Sequence, residues 1–473
     1  MDISEKNFEA QIEHVLRNGN GYQKRLTEQY DAELCLIPDD VMDFVLATQP
    51  EEWTKLTKVY GSDARKKFLI RLSSEIEKRG TLDVLRKGIK DVGAKIRLVF
   101  FRPVSGLNDA AQTLYAANIF SIVRQLYFSQ RDRKSLDLAI FLNGLPIFTA
   151  ELKNHFTGQT VQNAIRQYRK DRDPREPLFL FGRCLAHFAV DPDLVYVCSH
   201  LRGEKSVFLP FNKGRNGGAG NPPVWDNFAT HYLWDDLWMK DSLLNLLDQF
   251  THVIEIEDDK GKPTGEKRLL FPRYHQLDTV RRLTAHAREH GSGQRYLIQH
   301  SAGSGKSNSI AWLAHQLATL HDANDRRVFD SVIVITDRRI LDRQLQATVR
   351  QFEQVLGTVE NIDTTSRQLK EALQNGKQII VTTLQKFPVI VKEIGTLPGT
   401  RFAVIIDEAH SSQGGDSVRD LKTTLNVKSL EDAESQESGG DRDYEDMLNE
   451  QAESRKFHAN MSVFAFTAAT KQA

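Results

Sequence analysis

The stretch Ser301-Ala-Gly-Ser-Gly-Lys-Ser307 lies between a short apolar run, Tyr296–Gln299, and a segment with apolar residues at helical spacing, Asn308–Leu320. A strand, a glycine-rich turn and a helix together favour phosphate binding. Glycine lets backbone N–H groups approach phosphate oxygens, and the helix N-terminus adds partial positive charge. The pattern predicts a nucleotide site in an α/β domain.

Each residue of this loop has an expected role at a bound ATP. Lys306 would reach the β- and γ-phosphates, and Ser307 would offer its hydroxyl to Mg²⁺. The backbone that surrounds the phosphates would come from Gly303, Ser304 and Gly305. The strict motif has a further glycine where this chain has His300, so an ordinary glycine-rich turn before a helix is the alternative on spacing alone.

A second segment strengthens the nucleotide prediction. Phe402–Ile406 is apolar enough for a buried strand, and Asp407-Glu408-Ala-His410 follows it directly. Open α/β sheets bind ligands at the carboxyl ends of their strands. We expect Asp407 to hold Mg²⁺ through its water shell, and Glu408 to orient or deprotonate the water that attacks the γ-phosphate.

Gln276, which follows Tyr274-His275, precedes the loop by about thirty residues and opens a predicted helix, Leu277–Ala287. An aromatic residue followed by glutamine at this distance resembles the adenine-reading element of helicase-type ATPases. A glutamine amide can pair with both the donor and the acceptor of the adenine edge. A helix-initiating residue without a ligand is the alternative.

Composition limits the classes of protein that the chain can be. Its 473 residues contain 63 Lys and Arg against 63 Asp and Glu, so any surface that binds nucleic acid must be local. The three cysteines show no metal-ligand spacing and indicate reduced thiols. The N-terminus is too charged for a signal peptide and no long apolar span occurs, which predicts a cytoplasmic protein without a membrane partner.

In the first half of the chain, two apolar runs flank Asn143-Gly144, the strongest short signal of a β-hairpin. Glu151 and Lys153 stand two apart on the second predicted strand and therefore share a face. Asp137 begins the first strand, close to them. Two carboxylates can hold Mg²⁺ beside a scissile phosphate, and a lysine can orient the attacking water. The alternative is a strand end with a salt bridge from the lysine.

Two predicted helices flank this hairpin in the chain. Ser4–Leu16 is amphipathic, and its Glu9 and Glu13 share one face, either as a solvated surface or beside a cation. The second helix, Val161–Lys170, is basic. Its DNA-binding candidates are Arg166, Tyr168, Arg169 and Lys170, whose cations suit phosphate, although a solvated basic face explains them equally.

The polar, turn-rich segment around residue 255 predicts a domain boundary, with one domain at 1–255 and a second at 256–473. Residues 422–454 are acidic and poor in apolar side chains, which predicts a mobile insertion. After a last predicted strand, Met461–Thr470, no second series of βα units follows. We expect a fragment that lacks the second motor lobe and a C-terminal region.

Asp137 with Glu151 and Lys153 resembles the constellation of PD-(D/E)xK nucleases, and the segments around Lys306 and Asp407 resemble a helicase superfamily 2 motor. The order of elements resembles the R subunit of type I restriction–modification enzymes, as do the stretches Asn143–Pro146, Glu151–Asn154, Leu209–Gly214 and Asp337–Gln344. Nucleases of this group carry Gln-x-x-x-Tyr on the helix behind the active strand, but Ala164 precedes Tyr168 by four residues here.

The resemblance implies a mixed-sheet PD-(D/E)xK domain with flanking helices, followed by one RecA-like parallel-sheet lobe. It implies ATP-driven translocation of double-stranded DNA with Mg²⁺-dependent endonucleolytic cleavage, and modification (methyltransferase) and specificity subunits as partners. Asp137, Glu151 and Lys153 would form the nuclease site, with Glu9 as a fourth candidate. The alternatives are a DEAH-type helicase or remodeller whose hairpin carboxylates are structural, and a nucleotide-gated DNA-binding module.

Overall fold

The structure is a computed structural model of the 473-residue chain. It describes residues 5–103, 108–154, 158–258, 262–301, 303–336, 339–354, 357–362, 368, 371–373, 375–383, 399–407 and 459–468. The predicted acidic insertion 422–454, the residues 408–410 and the end of the last predicted strand therefore lie outside the described residues. No helix among the described residues is long and apolar enough to cross a lipid bilayer.

The chain forms two compact units, Met1–His275 and Gln276–Ala473, whereas the sequence placed the boundary near residue 255. The reason lies in a hairpin that follows residue 251. Its strands are His252–Glu257 and Pro263–Leu270, and Ser199 Oγ donates to the Leu269 carbonyl at 2.9 Å. Phe271 packs edge-on against Phe148 at a centroid distance of 5.9 Å. These contacts belong to the first unit.

The helices of unit 1 surround one mixed sheet. Apolar stripes bury one face of each long helix, as at Phe8, Ile12 and Leu16 in the first and at Leu72 and Ile76 in the fourth. The α-helices are α1 (Glu5–Asn20), α2 (Pro38–Thr48), α3 (Pro50–Tyr60), α4 (Ala64–Arg79), α5 (Thr81–Lys87), α6 (Asp109–Ala116), α7 (Val161–Lys170) and α8 (Lys240–Asn245), with π-helical turns at Leu233–Leu237 and Leu246–Phe250.

Among the described residues of unit 1, the largest sheet has seven strands in the order β1-β4-β5-β6-β7-β8-β9. Strands β4, β5 and β6 are antiparallel neighbours, and β6 pairs in parallel with β7. The strands of the unit are β1 (Gln23–Arg25), β2 (Ile89–Asp91), β3 (Ala94–Ile96), β4 (Phe120–Tyr127), β5 (Ser135–Leu142), β6 (Leu145–Leu152), β7 (Ala186–Val190), β8 (Val195–Cys198), β9 (Leu209–Pro210), β10 (His252–Glu257) and β11 (Pro263–Leu270). In the middle of the sheet, β5 carries Asp137 and β6 carries Glu151, and Lys153 follows the end of β6.

The predicted hairpin turn is confirmed. Asn143 has φ +50° and Gly144 has φ +79°, as a two-residue turn between antiparallel strands requires. A Cβ on Gly144 would stand 2.5 Å from the Ile37 carbonyl oxygen and 2.5 Å from Val41 Cγ2. Glycine is therefore needed both for its backbone conformation and for the close approach of α2.

Lys95–Arg102 and Leu178–Phe181 are apolar and aromatic enough to predict two further strands in unit 1, but both predictions are wrong. The expected strand over 95–102 is limited to β3, because the chain leaves the short β2–β3 pairing after Ile96. The expected strand at Leu178–Phe181 is a 3₁₀ turn, Pro177–Phe179, whose apolar side chains Leu178 and Phe179 are buried. An apolar run thus signalled burial correctly in both places, but not strand pairing.

In the described part of unit 2, six strands form one parallel sheet in the order β12-β17-β16-β13-β15-β14. Their bounds are β12 (Arg295–His300), β13 (Ser331–Thr336), β14 (Val359–Asn361), β15 (Ile379–Thr383), β16 (Phe402–Ile406) and β17 (Met461–Ala468). The helices of the unit are α9 (Tyr274–His290), α10 (Lys306–Ala318) and α11 (Arg339–Gln351). This confirms an α/β protein with a parallel sheet.

Candidate functional sites

The first candidate site lies where β5 and β6 pair. Leu138 pairs with Ala150, so the preceding Asp137 and the following Glu151 are adjacent across the two strands. Asp137 Oδ2 accepts a hydrogen bond from the Leu152 backbone N–H at 2.7 Å. Lys153 Nζ lies 3.8 Å from the same oxygen. The structure therefore brings the three predicted nuclease residues together.

Glu151 is fully buried, and Arg172 is its charged partner. The Arg172 Nε donates to Glu151 Oε1 at 2.6 Å. The other carboxylate oxygen, Oε2, is buried and accepts no hydrogen bond. Burial first, and then the charge of Asp137, raise the pKa of Glu151 well above its usual value, against the opposing charge of Arg172.

Glu9 reaches the same site from α1. Its Oε1 accepts a hydrogen bond from Gln125 Nε2 at 2.9 Å, and its Oε2 lies 3.2 Å from Arg124 Nε. Burial, followed by the charge of Asp137, raises the pKa of Glu9. Because Asp137 raises the pKa of both glutamates, the three carboxylates act on one another electrostatically.

Gln125 has an unusual backbone conformation at this site. It lies directly opposite Asp137 in the β4–β5 pairing, and its φ is +51°, which is rare for a residue with a side chain. Its Nε2 faces Asp137 Oδ1 at 3.5 Å and bonds Glu9, while its Oε1 accepts from Ser135 Oγ at 2.8 Å. Gln125 could not be predicted from the sequence, because no local pattern marks a left-handed residue inside a strand.

The residues present fit a divalent cation with few protein ligands. Among the described residues, no group of three or more His, Cys, Asp or Glu side chains is arranged to hold a metal. Mg²⁺ commonly uses one or two carboxylates and completes its shell with water and substrate phosphate. The unbonded Oε2 of Glu151 beside Asp137 supplies such a pair.

Helix α7 packs over this face of the sheet. Its packing argues against Tyr168 as a DNA-binding residue. Tyr168 is fully buried, and its hydroxyl lies 2.8 Å from Thr149 Oγ1, so its ring is not exposed for contact with DNA in this structure. Arg169 donates to the Ser206 carbonyl at 2.9 Å, and Lys170 lies 3.6 Å from Glu204. Arg166 is exposed, so it stays a candidate for binding DNA.

The second candidate site is the turn between β12 and α10. Gly303 and Gly305 have φ +75° and +82°, which side chains rarely adopt. Helix α10 begins at Lys306, directly after Gly305. His300, in place of the glycine of the strict motif, is buried with Nδ1 3.2 Å from Ser304 Oγ. The turn thus combines two left-handed glycines with the start of a helix, and histidine fits before it.

Lys306 and Asp407 meet at the carboxyl ends of two strands of this sheet. Asp407 follows β16, which is separated from β12 by β17 alone, and its Oδ1 lies 3.1 Å from Lys306 Nζ. Ser307 is half-buried in the first turn of α10. Glu408 lies outside the described residues, so its predicted role stays a prediction.

Gln276 is buried beneath the same loop. Its Nε2 donates to the Gly305 carbonyl at 2.9 Å and to the Ser304 carbonyl at 3.2 Å. A Cβ on Gly305 would stand 2.5 Å from that nitrogen. The predicted adenine-reading residue therefore supports the backbone of the loop in this structure.

Two family models match separate parts of the chain. Residues 63–206 match the model of the type I restriction enzyme R protein N terminus. Residues 275–430, which include the loop and the Asp407 strand, match the SWI2/SNF2 ATPase model.

The relatives carry one family name. The MjaVIIIP endonuclease subunit of Methanocaldococcus jannaschii, named for a type I restriction enzyme, is 25% identical over 363 residues, 72% of this chain and 32% of the relative. The HindI subunit of Haemophilus influenzae is 26% identical over 63% of this chain and 28% of its own length. The chain thus spans about a third of the length of the curated relatives it matches. These matches confirm the resemblance to R subunits of type I restriction enzymes.

A solved fragment assigned to the HsdR subunit of a type I restriction enzyme from Vibrio vulnificus aligns with 74% of this chain and 51% of its own. Its sequence identity is 13% and its TM-score is 0.25, a value too low to support an argument about the fold.

Proposed function

We propose that the chain is the nuclease and first motor part of a type I restriction enzyme R subunit, which cleaves double-stranded DNA with Mg²⁺ and moves it with ATP. The observation that carries the proposal is the buried, unbonded Oε2 of Glu151 beside Asp137 and Lys153. An unsatisfied buried carboxylate oxygen costs free energy unless a ligand uses it. A divalent cation is the ligand that such an oxygen suits.

In the proposed nuclease, Asp137 and Glu151 would hold the Mg²⁺, which when bound activates water and offsets negative charge on the leaving oxygen. Lys153 is nearly buried and would donate to the scissile phosphate or orient the attacking water. Glu9 would take up a proton in this water-poor surrounding, since burial already raises its pKa. We assign the surrounding sheet and helices to the PD-(D/E)xK class.

In the proposed motor, the parallel sheet of unit 2 is a RecA-like lobe. The backbone N–H groups of the turn at Gly303–Gly305 would surround the phosphates of ATP, and Lys306 would leave Asp407 for the β- and γ-phosphates. Asp407 and Ser307 would then bind the Mg²⁺ of the nucleotide, and Glu408 would orient water. Gln276 would read adenine and, through its bonds to the loop, report nucleotide binding to the backbone.

The proposed substrate and partners follow from the family. The relatives are named endonuclease subunits of type I restriction enzymes. We therefore propose double-stranded DNA as the substrate, with modification and specificity subunits as partners that supply recognition of the DNA site. We propose that Arg166, on the exposed face of α7, contacts the phosphate backbone of the DNA.

The test is a plasmid cleavage assay with the purified chain, first alone and then with the modification and specificity subunits. Supercoiled and linear plasmid would be incubated with Mg²⁺, with and without ATP. Asp137→Ala and Lys306→Ala are compared with wild type, and Asp132→Ala is the matched control, because Asp132 is exposed on the β4–β5 connection. We expect cleavage to need Mg²⁺ and to be lost in Asp137→Ala but kept in Asp132→Ala.

Cleavage that is indifferent to Asp137→Ala would contradict the nuclease assignment. ATP hydrolysis or DNA movement without any cleavage in the assembled complex would instead support the DEAH-type helicase alternative, in which the carboxylates are structural. Loss of nucleotide binding in Lys306→Ala with intact Mg²⁺-dependent nicking would support two separable activities in one chain.

A further inference from the structure

The geometry points to Arg172 as a positioning residue of the carboxylate site, which holds one oxygen of Glu151 and leaves the other for the divalent cation. This inference rests on the proposed nuclease function and deepens it. Arg172 belongs to no motif that the sequence revealed, since it lies beyond the end of α7 and 21 residues from Glu151.

Arg172 directs two of its N–H donors at the same carboxylate oxygen of Glu151. Its Nε and its Nη2 both lie 2.6 Å from Glu151 Oε1, while Glu151 Oε2 has no hydrogen-bond partner. A guanidinium that serves only as a structural ion-pair partner commonly takes both carboxylate oxygens, one with each N–H. The arrangement here concentrates both donors on one oxygen. The other oxygen is thereby oriented and left available.

Arg172 also connects the two strands that carry the carboxylates. Its Nη2 donates to the Ser135 carbonyl at 2.7 Å, and Ser135 begins β5 two residues before Asp137. Glu151 is on β6. One guanidinium thus links Glu151 to the strand that carries Asp137, the other residue that would hold the cation.

The guanidinium is itself held in place. The Arg172 side chain is 4% exposed and its guanidinium carbon lies 5.4 Å from the centroid of the Phe128 ring. This packing removes water and restricts the side chain to one orientation. Lysine cannot reproduce two donors in a fixed fork together with stacking on a ring, so Arg172→Lys keeps the charge but loses the geometry.

The experiment measures Mn²⁺ binding and Mg²⁺ dependence in the same proteins. Mn²⁺ binding to the full chain, with no DNA or nucleotide, is followed by electron paramagnetic resonance. The Mg²⁺ concentration that gives half-maximal plasmid cleavage is measured with the partner subunits. The proteins are wild type, Arg172→Lys and Arg172→Gln, with Arg175→Gln as matched control. Arg175 is three residues away, and its side chain is 83% exposed and paired with Asp173.

We expect Arg172→Lys to weaken Mn²⁺ binding and to raise the half-saturating Mg²⁺ concentration by about tenfold or more, the usual size for a residue behind a metal ligand. Arg175→Gln is expected to match wild type. Nucleotide binding by unit 2 is expected to stay unchanged in every variant, which controls for general damage. Arg172→Gln leaves Glu151 without a charged partner, so Arg172→Lys carries the test if Arg172→Gln does not fold.

Two results would overturn the inference. One is unchanged Mn²⁺ binding in a folded Arg172→Lys protein. The other is a lower cleavage rate at saturating Mg²⁺ with an unchanged half-saturating concentration, since that pattern describes an ion pair that supports the fold. Mn²⁺ binding that depends on Arg172 in a chain that never cleaves DNA would contradict the proposed nuclease function and leave the positioning role intact.

Discussion

The two candidate sites are built in opposite ways. The nucleotide site of unit 2 comes from one continuous turn, Ser301–Ser307, and one strand end, so the chain delivers most of it locally. The carboxylate site of unit 1 takes Glu9 from a helix, Gln125, Asp137 and Glu151 from three strands and Arg172 from a loop. A site made of distant pieces depends on the register of the sheet, whereas a loop depends on its own backbone angles.

The largest expected effect concerns the carboxylates. Glu151→Gln keeps the size of the side chain but removes a charged cation ligand. We predict that cleavage falls more than about a hundredfold, beyond the usual loss for a residue behind a ligand. Glu204→Gln, an exposed change on the surface of unit 1, is the control. Plasmid nicking rates would check this. Equal rates for both variants would contradict the assignment of unit 1 as the nuclease.

The next effect concerns the phosphate-binding turn. Lys306→Ala removes the cation expected at the β- and γ-phosphates, and we predict at least about tenfold weaker binding of a fluorescent ATP analogue, or about 1.4 kcal/mol. Lys377→Ala is the matched control, because the Lys377 side chain is 39% exposed and its Nζ lies 3.2 Å from Glu360 Oε2. Equal affinities in the two variants would contradict the nucleotide site.

A third prediction separates backbone strain from close packing in two hairpins of unit 1. Gly93 and Gly144 have φ +88° and +79° in two-residue turns, but a Cβ on Gly93 would meet nothing within 4 Å. Gly93→Ala should lower the free energy of unfolding by about 1 kcal/mol from strain alone. Gly144→Ala adds overpacking and should cost about 3 kcal/mol. Urea unfolding checks the difference, and equal losses would mean that α2 does not constrain the turn.

The smallest expected effect is a pH dependence in unit 1. Burial lowers the pKa of His187 from 6.5 to about 3. The unfolded chain therefore gains a proton as pH falls below 6.5, while the folded chain stays neutral until about pH 3, so stability is full above pH 6.5 and declines toward pH 3. Between pH 7 and 5.5 this contribution should fall by about 1 kcal/mol.

The measurement for His187 is urea unfolding at both pH values, with His187→Gln as the comparison. The variant has no titrating group at this position, so its stability should fall by about 1 kcal/mol less than that of wild type. The same pH dependence in both proteins would show that folding does not lower the pKa of His187.

The sequence predicted what local patterns determine. The turn at Asn143-Gly144, the strands that precede the Ser301–Ser307 turn and Asp407, and the meeting of Asp137 with Glu151 and Lys153 all follow from spacing or turn chemistry. Gln125 and Arg172 could not be predicted, because their partners lie 116 and 21 residues away and depend on the register of β4, β5 and β6. The burial of Tyr168 likewise depends on how α7 packs. The basic residues beside it in the sequence indicated an exposed position instead.

The central claim is that Asp137 and the free oxygen of Glu151 hold a divalent cation. The most direct measurement is a crystal structure of the chain grown with Mn²⁺, with anomalous diffraction collected to locate the ion. The account predicts an anomalous peak in contact with Glu151 Oε2 and with Asp137, with Arg172 still on Glu151 Oε1. A peak elsewhere in unit 1, or no peak at these carboxylates under conditions that support cleavage, would contradict it.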